Sequence, residues 1–225
     1  MMKNLKVLLG ALSMLTLGSA NAGTLVLDSF NYNPELNIQA TPTVGSQVAS
    51  ATVTSIETGA TANYTLTWLE GLAIDTAKGN VFGSGSLSYA EEPLSDGTLE
   101  IVYTLPVPGS SLDFSGYSDF YFDVVNIDGS GGFDVMLTLE DLDGTTISAT
   151  YTIASTGVFL ASFASMSPGP DFDFSQVVSA SAFIDSDGLG DDFTLDSVGL
   201  VPEPSALAIL GLGLIGLGLR RRKLV

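Results

Sequence analysis

Between Phe133 and Ile153 the chain alternates apolar and polar residues with a period of two, and this constrains the fold more than any other feature. Phe133, Val135, Leu137 and Leu139 alternate with Asp134, Met136, Thr138 and Glu140, and Ile147, Ala149, Tyr151 and Ile153 take up the pattern after Asp143-Gly144. Successive side chains of a strand point to opposite faces, so these are two half-buried strands. Asp-Gly between them is a hairpin turn, the glycine supplying positive φ without steric cost. Tyr117–Val125, Val158–Phe163, Val177–Ile184 and Phe193–Leu200 continue the β pattern. Upstream, Thr24–Phe30, Ser46–Ile56, Ala62–Leu69, Gly85–Ala90 and Thr98–Leu105 read as strands, with a second turn at Asp96-Gly97. The Ser/Thr-rich stretch Thr41–Thr67 is either a loop insertion or strands with a polar face. No segment between Gly23 and Val201 carries a long helical period. Ten or so short strands punctuated by turns predict an all-β fold, a single β-sandwich of residues 23–201.

Charge narrows what such a sandwich does. All 25 acidic residues lie between Asp28 and Glu203, where Lys78 is the only basic side chain. A surface this negative repels phosphate backbones, which excludes nucleic acid as a partner. The chain has no histidine and no cysteine. That removes Ser-His-Asp chemistry, thiol nucleophiles, disulfides and ordinary zinc sites. Glu91 and Glu92 are adjacent carboxylates of the kind glycoside hydrolysis uses, but no pair is marked out by sequence, and the expectation is a non-enzymatic protein.

The two ends differ from the middle. Lys3 and Lys6 precede the short apolar run Val7–Leu17, and Ala20-Asn21-Ala22 supplies small residues at the −3 and −1 positions of a signal-peptidase site. Residues 1–22 therefore read as a secretory signal peptide, with Gly23 as the new N-terminus. At the other end, Pro202-Glu203-Pro204 precedes an apolar run of about residues 205–219, then Arg220, Arg221, Arg222 and Lys223. As a helix that run spans about 22 Å, short of a hydrocarbon core of about 30 Å. Snorkelling of the basic cluster closes the difference, and those charges stay cytoplasmic, leaving everything before Pro202 outside.

This arrangement of Pro-Glu-Pro box, short Gly/Leu-rich helix and terminal arginine cluster resembles the PEP-CTERM sorting signal of Gram-negative exported proteins. The resemblance implies that an exosortase-type membrane peptidase recognises residues 202–204 and that the tail anchors the protein in the inner membrane only in transit. It further implies an outer-surface or extracellular destination, linked to exopolysaccharide and biofilm.

Within the domain, Leu112-Asp113-Phe114-Ser115-Gly116-Tyr117, the Phe120–Val125 strand, the Asp143-Gly144 hairpin, Asp173-Phe174-Ser175-Gln176-Val177 and Phe193–Val198 follow one another in an order that resembles a galactose-binding-like jelly roll. In that fold the first and last strands commonly sit together, and Leu27-Asp28-Ser29-Phe30 echoes Leu195-Asp196-Ser197-Val198. A carbohydrate-binding module is the alternative function. Its aromatic candidate is Trp68, the only tryptophan, whose strand position shares a face with Tyr64; Tyr89, Tyr103, Tyr117 and Tyr121 are further candidates. No cofactor is required. Asp185, Asp187, Asp191 and Asp192 gather hard oxygen ligands around two glycines, the donor set of a structural calcium, though Leu189 breaks EF-hand spacing. Asn126, Asp128 and Asp134, and Glu140, Asp141 and Asp143, form two more acidic groups, and all three equally suit turns between strands.

Overall fold

The computed structural model describes residues 24–32, 36–42, 48–54, 59–70, 76–82, 85–104, 111–128, 131–166, 171–186 and 191–203. These carry thirteen strands: β1 (Leu25–Asp28), β2 (Leu36–Ala40), β3 (Val48–Thr54), β4 (Thr61–Glu70), β5 (Ala77–Phe82), β6 (Ser86–Glu91), β7 (Asp96–Thr104), β8 (Tyr117–Asp128), β9 (Phe133–Asp141), β10 (Thr146–Ile153), β11 (Gly157–Ser162), β12 (Val177–Ser186) and β13 (Asp192–Pro202). They form two antiparallel sheets. The first runs β11-β8-β13-β6-β5-β2, with β1 also on β13; the second runs β10-β9-β12-β7-β4-β3. From β7 onward the chain passes repeatedly from one sheet to the other, the crossing pattern of a jelly roll.

The alternation that predicted β9 and β10 is realised residue by residue. Phe133, Val135, Leu137 and Leu139 are buried, and Ile147 and Ile153 close over the same core. Both inner faces contribute to one apolar layer, in which Phe193 stacks between Tyr89 and Phe133 at ring distances of 5.0 and 4.5 Å. The Ser/Thr-rich stretch resolves into strands with a polar face: β3 and β4 pair from Val48↔Thr67 to Thr54↔Thr61.

Two readings need correction. Asp96-Gly97 is not a turn but the start of β7, paired with Glu70 and Trp68. A Cβ on Gly97 would sit 2.8 Å from the Thr67 carbonyl oxygen and 2.9 Å from the Tyr89 hydroxyl, so the glycine answers close packing inside a strand. The turn lies three residues earlier, at Pro93-Leu94, where the Ser95 amide donates to the Glu92 carbonyl (2.8 Å). Strands β2 and β5 add to the expected set: Leu-Asn-Ile-Gln-Ala alternates with period two but over only five residues, and Ala-Lys-Gly-Asn-Val-Phe loses the alternation at Lys78-Gly79-Asn80.

The pairing of first and last strands holds: Leu25 lies opposite Leu200 and Val26 opposite Gly199. A side chain at Gly199 would collide with the Leu25 carbonyl, and the Tyr121 ring lies over the same spot from the other side. The sequence echo is not a structural one. A bulge between Val26 and Asp28 turns both Leu27 and Asp28 inward, and Asp28 faces Val198, whereas Asp196 is exposed.

Asp28 is therefore a fully buried acid. Its Oδ1 accepts the Phe30 amide (2.7 Å), which holds Phe30 at φ +53° and ends the strand there. Its Oδ2 accepts the hydroxyls of Tyr32 (2.5 Å), Tyr64 (2.7 Å) and Tyr103 (3.1 Å). Burial pushes the Tyr64 and Tyr103 hydroxyls well above their usual range, so both remain donors. Burial also raises the Asp28 carboxyl above the ordinary carboxylate value, outweighing the pull of its four hydrogen bonds. The folded state then holds a proton more tightly than the unfolded chain. Stability from this group is complete below the ordinary value near ~3.9 and is lost as pH rises through the raised folded value. Thermal melts of the wild type and Asp28→Asn between pH 4 and pH 8 should show the wild type losing ground to the variant as pH rises. A difference that moves the other way would mean that the cage favours the ionised form.

Candidate functional site

The outer face of the second sheet follows from its register. Thr150, Met136, Phe183, Glu100, Thr65 and Ser50 lie opposite one another across all six strands. The next row toward one end is Ser148, Thr138, Ser181, Val102, Asn63 and Thr52. Alternation sends Ala180, Ala182 and Ile184 of β12 into the core and leaves Ser179, Ser181, Phe183 and Asp185 outside. Hydroxyl groups dominate this face. Phe183 is its one aromatic ring, partly exposed, with Met136 (42% exposed) on one side and Glu100 on the other. Sequence reasoning passed over Phe183, although the signal was present: it is the single large apolar residue on the polar side of β12.

The structure places Trp68 on the opposite face of β4, in line with Tyr64 and Leu66 and packed partly buried against the core. Its Nε1 is buried and has no hydrogen-bond partner among the described residues. Tyr64, Tyr89 and Tyr103 are core residues, and Tyr121 is buried against Gly199. Tyr117 is partly buried at the start of β8. The adjacent acids Glu91 and Glu92 take structural partners. Glu91 accepts the Gly97 amide (2.8 Å) and the Tyr89 hydroxyl, joining the two sheets. Glu92 pairs with Lys78 at 3.5 Å on the surface.

The acidic groups divide in the same way. Asp141 is buried, its Oδ1 capping the hairpin through the amides of Asp143 (3.1 Å) and Thr145 (2.9 Å) and its Oδ2 accepting the amide of Asp173 (3.0 Å). Asp113 and Asp173 each accept the amide and hydroxyl of the serine two residues on, and those bonds hold both carboxyls below the usual range. Asp185 stands opposite Asp134 on the second sheet, and Asp192 opposite Asp128 on the first, its Oδ1 accepting the Glu91 amide (2.9 Å). Asp187 lies outside the described residues. Among the described residues no three carboxylates converge closely enough to hold a metal ion, and Asp185 and Asp192 belong to different sheets.

At the C-terminal end, β13 carries its last core residue at Leu200 and its last pair at Pro202, opposite Tyr117. Glu203 follows, exposed, while Pro204, the apolar run 205–219 and Arg220, Arg221, Arg222 and Lys223 lie outside the described residues, as do Ala20 and Ala22. Among the described residues no helix is long and apolar enough to cross a membrane. Residues 200–223 are a PEP-CTERM protein-sorting motif. The PEP-CTERM motif implies export, a transient C-terminal membrane anchor and processing by an exosortase.

No curated protein sequence matches the chain significantly. Among solved structures it is similar to the family 11 carbohydrate-binding module of the cellulosomal cellulase Lic26A-Cel5E of Clostridium thermocellum, at 16% identity over 80% of this chain and 95% of that one, TM-score 0.41. An exo-β-agarase is similar at 15% identity over 80% of this chain and 25% of its own, TM-score 0.42. A family 61 carbohydrate-binding module in complex with β-1,4-galactotriose is similar at 13% identity over 80% and 95%, TM-score 0.29.

Like charges directly opposite one another across strands destabilise a sheet, by a few tenths to about 1 kcal/mol. Asp134→Asn, whose amide oxygen can keep the hydrogen bond from the Thr152 hydroxyl (2.6 Å), should therefore raise the melting temperature by about 1–2 °C at low salt, with a smaller gain at high salt. A fall in melting temperature would show that the Asp134–Asp185 pair is held by something other than repulsion.

Proposed function

We propose that this protein is a non-enzymatic component of the cell surface or extracellular matrix, associated with exopolysaccharide. In this reading signal peptidase cuts after Ala22 and an exosortase-type peptidase acts at the Pro-Glu-Pro box. The observation that carries it is the position of the sorting motif directly at the end of the sandwich's last strand. Cleavage beyond Pro202 removes no residue of the described core. Intact-mass measurement on protein from its host, comparing membranes with culture medium, tests the route. The expected species begins at Gly23, ends near Pro202–Pro204 and is found outside the membrane. A membrane species that keeps Arg220–Val225 at steady state would instead make it a permanently tethered protein.

A carbohydrate-binding role is the second reading, favoured by one feature of the second sheet. Sugars present C–H faces together with hydroxyls, and they are held by an apolar ring set among hydrogen-bonding groups. Phe183, bordered by Glu100 and the surrounding Ser and Thr hydroxyls, has that make-up. Affinity electrophoresis in gels containing the host's own exopolysaccharide should show retarded migration. Phe183→Ala should weaken binding about tenfold, equivalent to about 1.4 kcal/mol, with an unchanged melting temperature. Equal retardation of the two proteins would remove this face from consideration.

A further inference from the structure

Five strands have a single partner among the described residues: β11, β2 and β1 in the first sheet, β10 and β3 in the second. Strand β1 is short and bulged, as edge strands usually are, and carries Asp28; the other four form the lateral edges. None of these four strands contains a charged residue or a proline, whereas each of the other nine contains at least one acid or Lys78. This inverts the usual arrangement, in which edge strands are charged or interrupted because their free N–H and C=O groups invite another strand. The four edges also lie together in pairs. Tyr151 of β10 donates to the Ser162 carbonyl of β11 (2.8 Å) and packs edge-on against Phe159, which makes one flank. Strand β2 packs beside β3 to make the other.

We infer that these flanks join copies of this chain head to tail, extending both sheets from one copy to the next. Strand polarity permits it. Each sheet is a run of six mutually antiparallel strands, so its two edges point in opposite directions. A neighbour displaced sideways therefore presents β10 antiparallel to β3, and β11 antiparallel to β2, without being turned over. Charge selects the same contact. Two copies so rich in acid repel one another over most of their surfaces, and the flanks are where strands meet without bringing carboxylates together. The contact is heterologous, so each copy keeps one free flank for the next, and the rotation that sheet twist adds at each step makes the product a helical filament unless that rotation closes a ring.

The test uses protein purified in mild detergent from its host. The wild type should form species that lengthen with concentration, seen by sedimentation velocity and negative-stain microscopy. They should lengthen further when salt is raised from 0.01 to 0.1 M, as the screening length falls from about 30 to about 10 Å. Ala149→Lys on β10 and Ala51→Lys on β3 place a cation on the inner side of an edge strand, where it reaches solvent in a single copy and is trapped by an added strand. Each variant alone should be monomeric, with its circular dichroism spectrum retained. Mixed together they should give a two-copy species and nothing larger, because only one compatible contact remains. A peptide of residues 146–153 should shorten wild-type assemblies, a readout that needs no folded variant. A monomeric wild type at every concentration and salt overturns the proposal. So does assembly that survives in both variants, or a dimer formed by Ala51→Lys alone, which would mean that β10 pairs with itself.

Discussion

The sandwich is closed around a fully buried acid that accepts one backbone amide and three tyrosine hydroxyls. Asp28 enters from β1 in the first sheet, and two of the hydroxyls that satisfy it, from Tyr64 and Tyr103, belong to β4 and β7 in the second. The network therefore fixes the separation and offset of the two layers, which apolar packing alone leaves adjustable. Composition leaves little choice about how it is built. With Lys78 the only base among the acids and no histidine, a buried acid has only O–H and N–H groups to answer it. Glu91 is met by a tyrosine and a glycine amide, Asp141 by three amides. The rule is the same at all three sites, and each ties one segment to another distant in sequence or closes a turn.

Much of this was legible in the sequence, and the boundary follows how local the information is. Strands β9 and β10 declare themselves because seven or eight residues alternate without interruption and a glycine turn joins them. The C-terminal sorting motif is readable because such a signal is linear and is recognised as such. Asp28 could not be read, since its partners lie 4, 36 and 75 residues away and a lone aspartate before serine looks like a turn. Asp96-Gly97 misled for the complementary reason. The pair has the local chemistry of a turn, but Tyr89 and Glu91 descend from the other sheet and require a glycine amide and a missing side chain at that point. Phe183 stood in plain view on the wrong side of its alternation, and only the six-stranded register shows that it sits in the middle of a hydroxyl-rich surface.

Acid placement also explains how so negative a domain remains folded. Several carboxylates are spent on backbone amides at turns, where Asp113, Asp141 and Asp173 do the work that a network of ion pairs does elsewhere. Others, such as Asp134 with Asp185 and Asp128 with Asp192, face each other across strands at the end where β8 leads to β9 and β12 leads to β13. Both pairs stand on central strands rather than on the lateral edges. A folded domain tolerates a modest penalty there because the strands concerned are central and held on both sides.

The junction between the domain and the sorting motif has a similar economy. Strand β13 is the most embedded strand of the first sheet, paired with β8 on one side and with β6 and β1 on the other. A tail leaving from such a strand would ordinarily be hard to remove without disturbing the fold. Here the sheet's last pair is made by Pro202, which has no N–H to give and cannot pass the ladder on to the residues that follow. The first residue of the Pro-Glu-Pro box is thus also the stop signal of the sheet, and the core is already complete at Leu200. One proline serves the fold by ending it and serves sorting by opening the segment that follows, so a cut beyond it costs the sandwich nothing that holds it together.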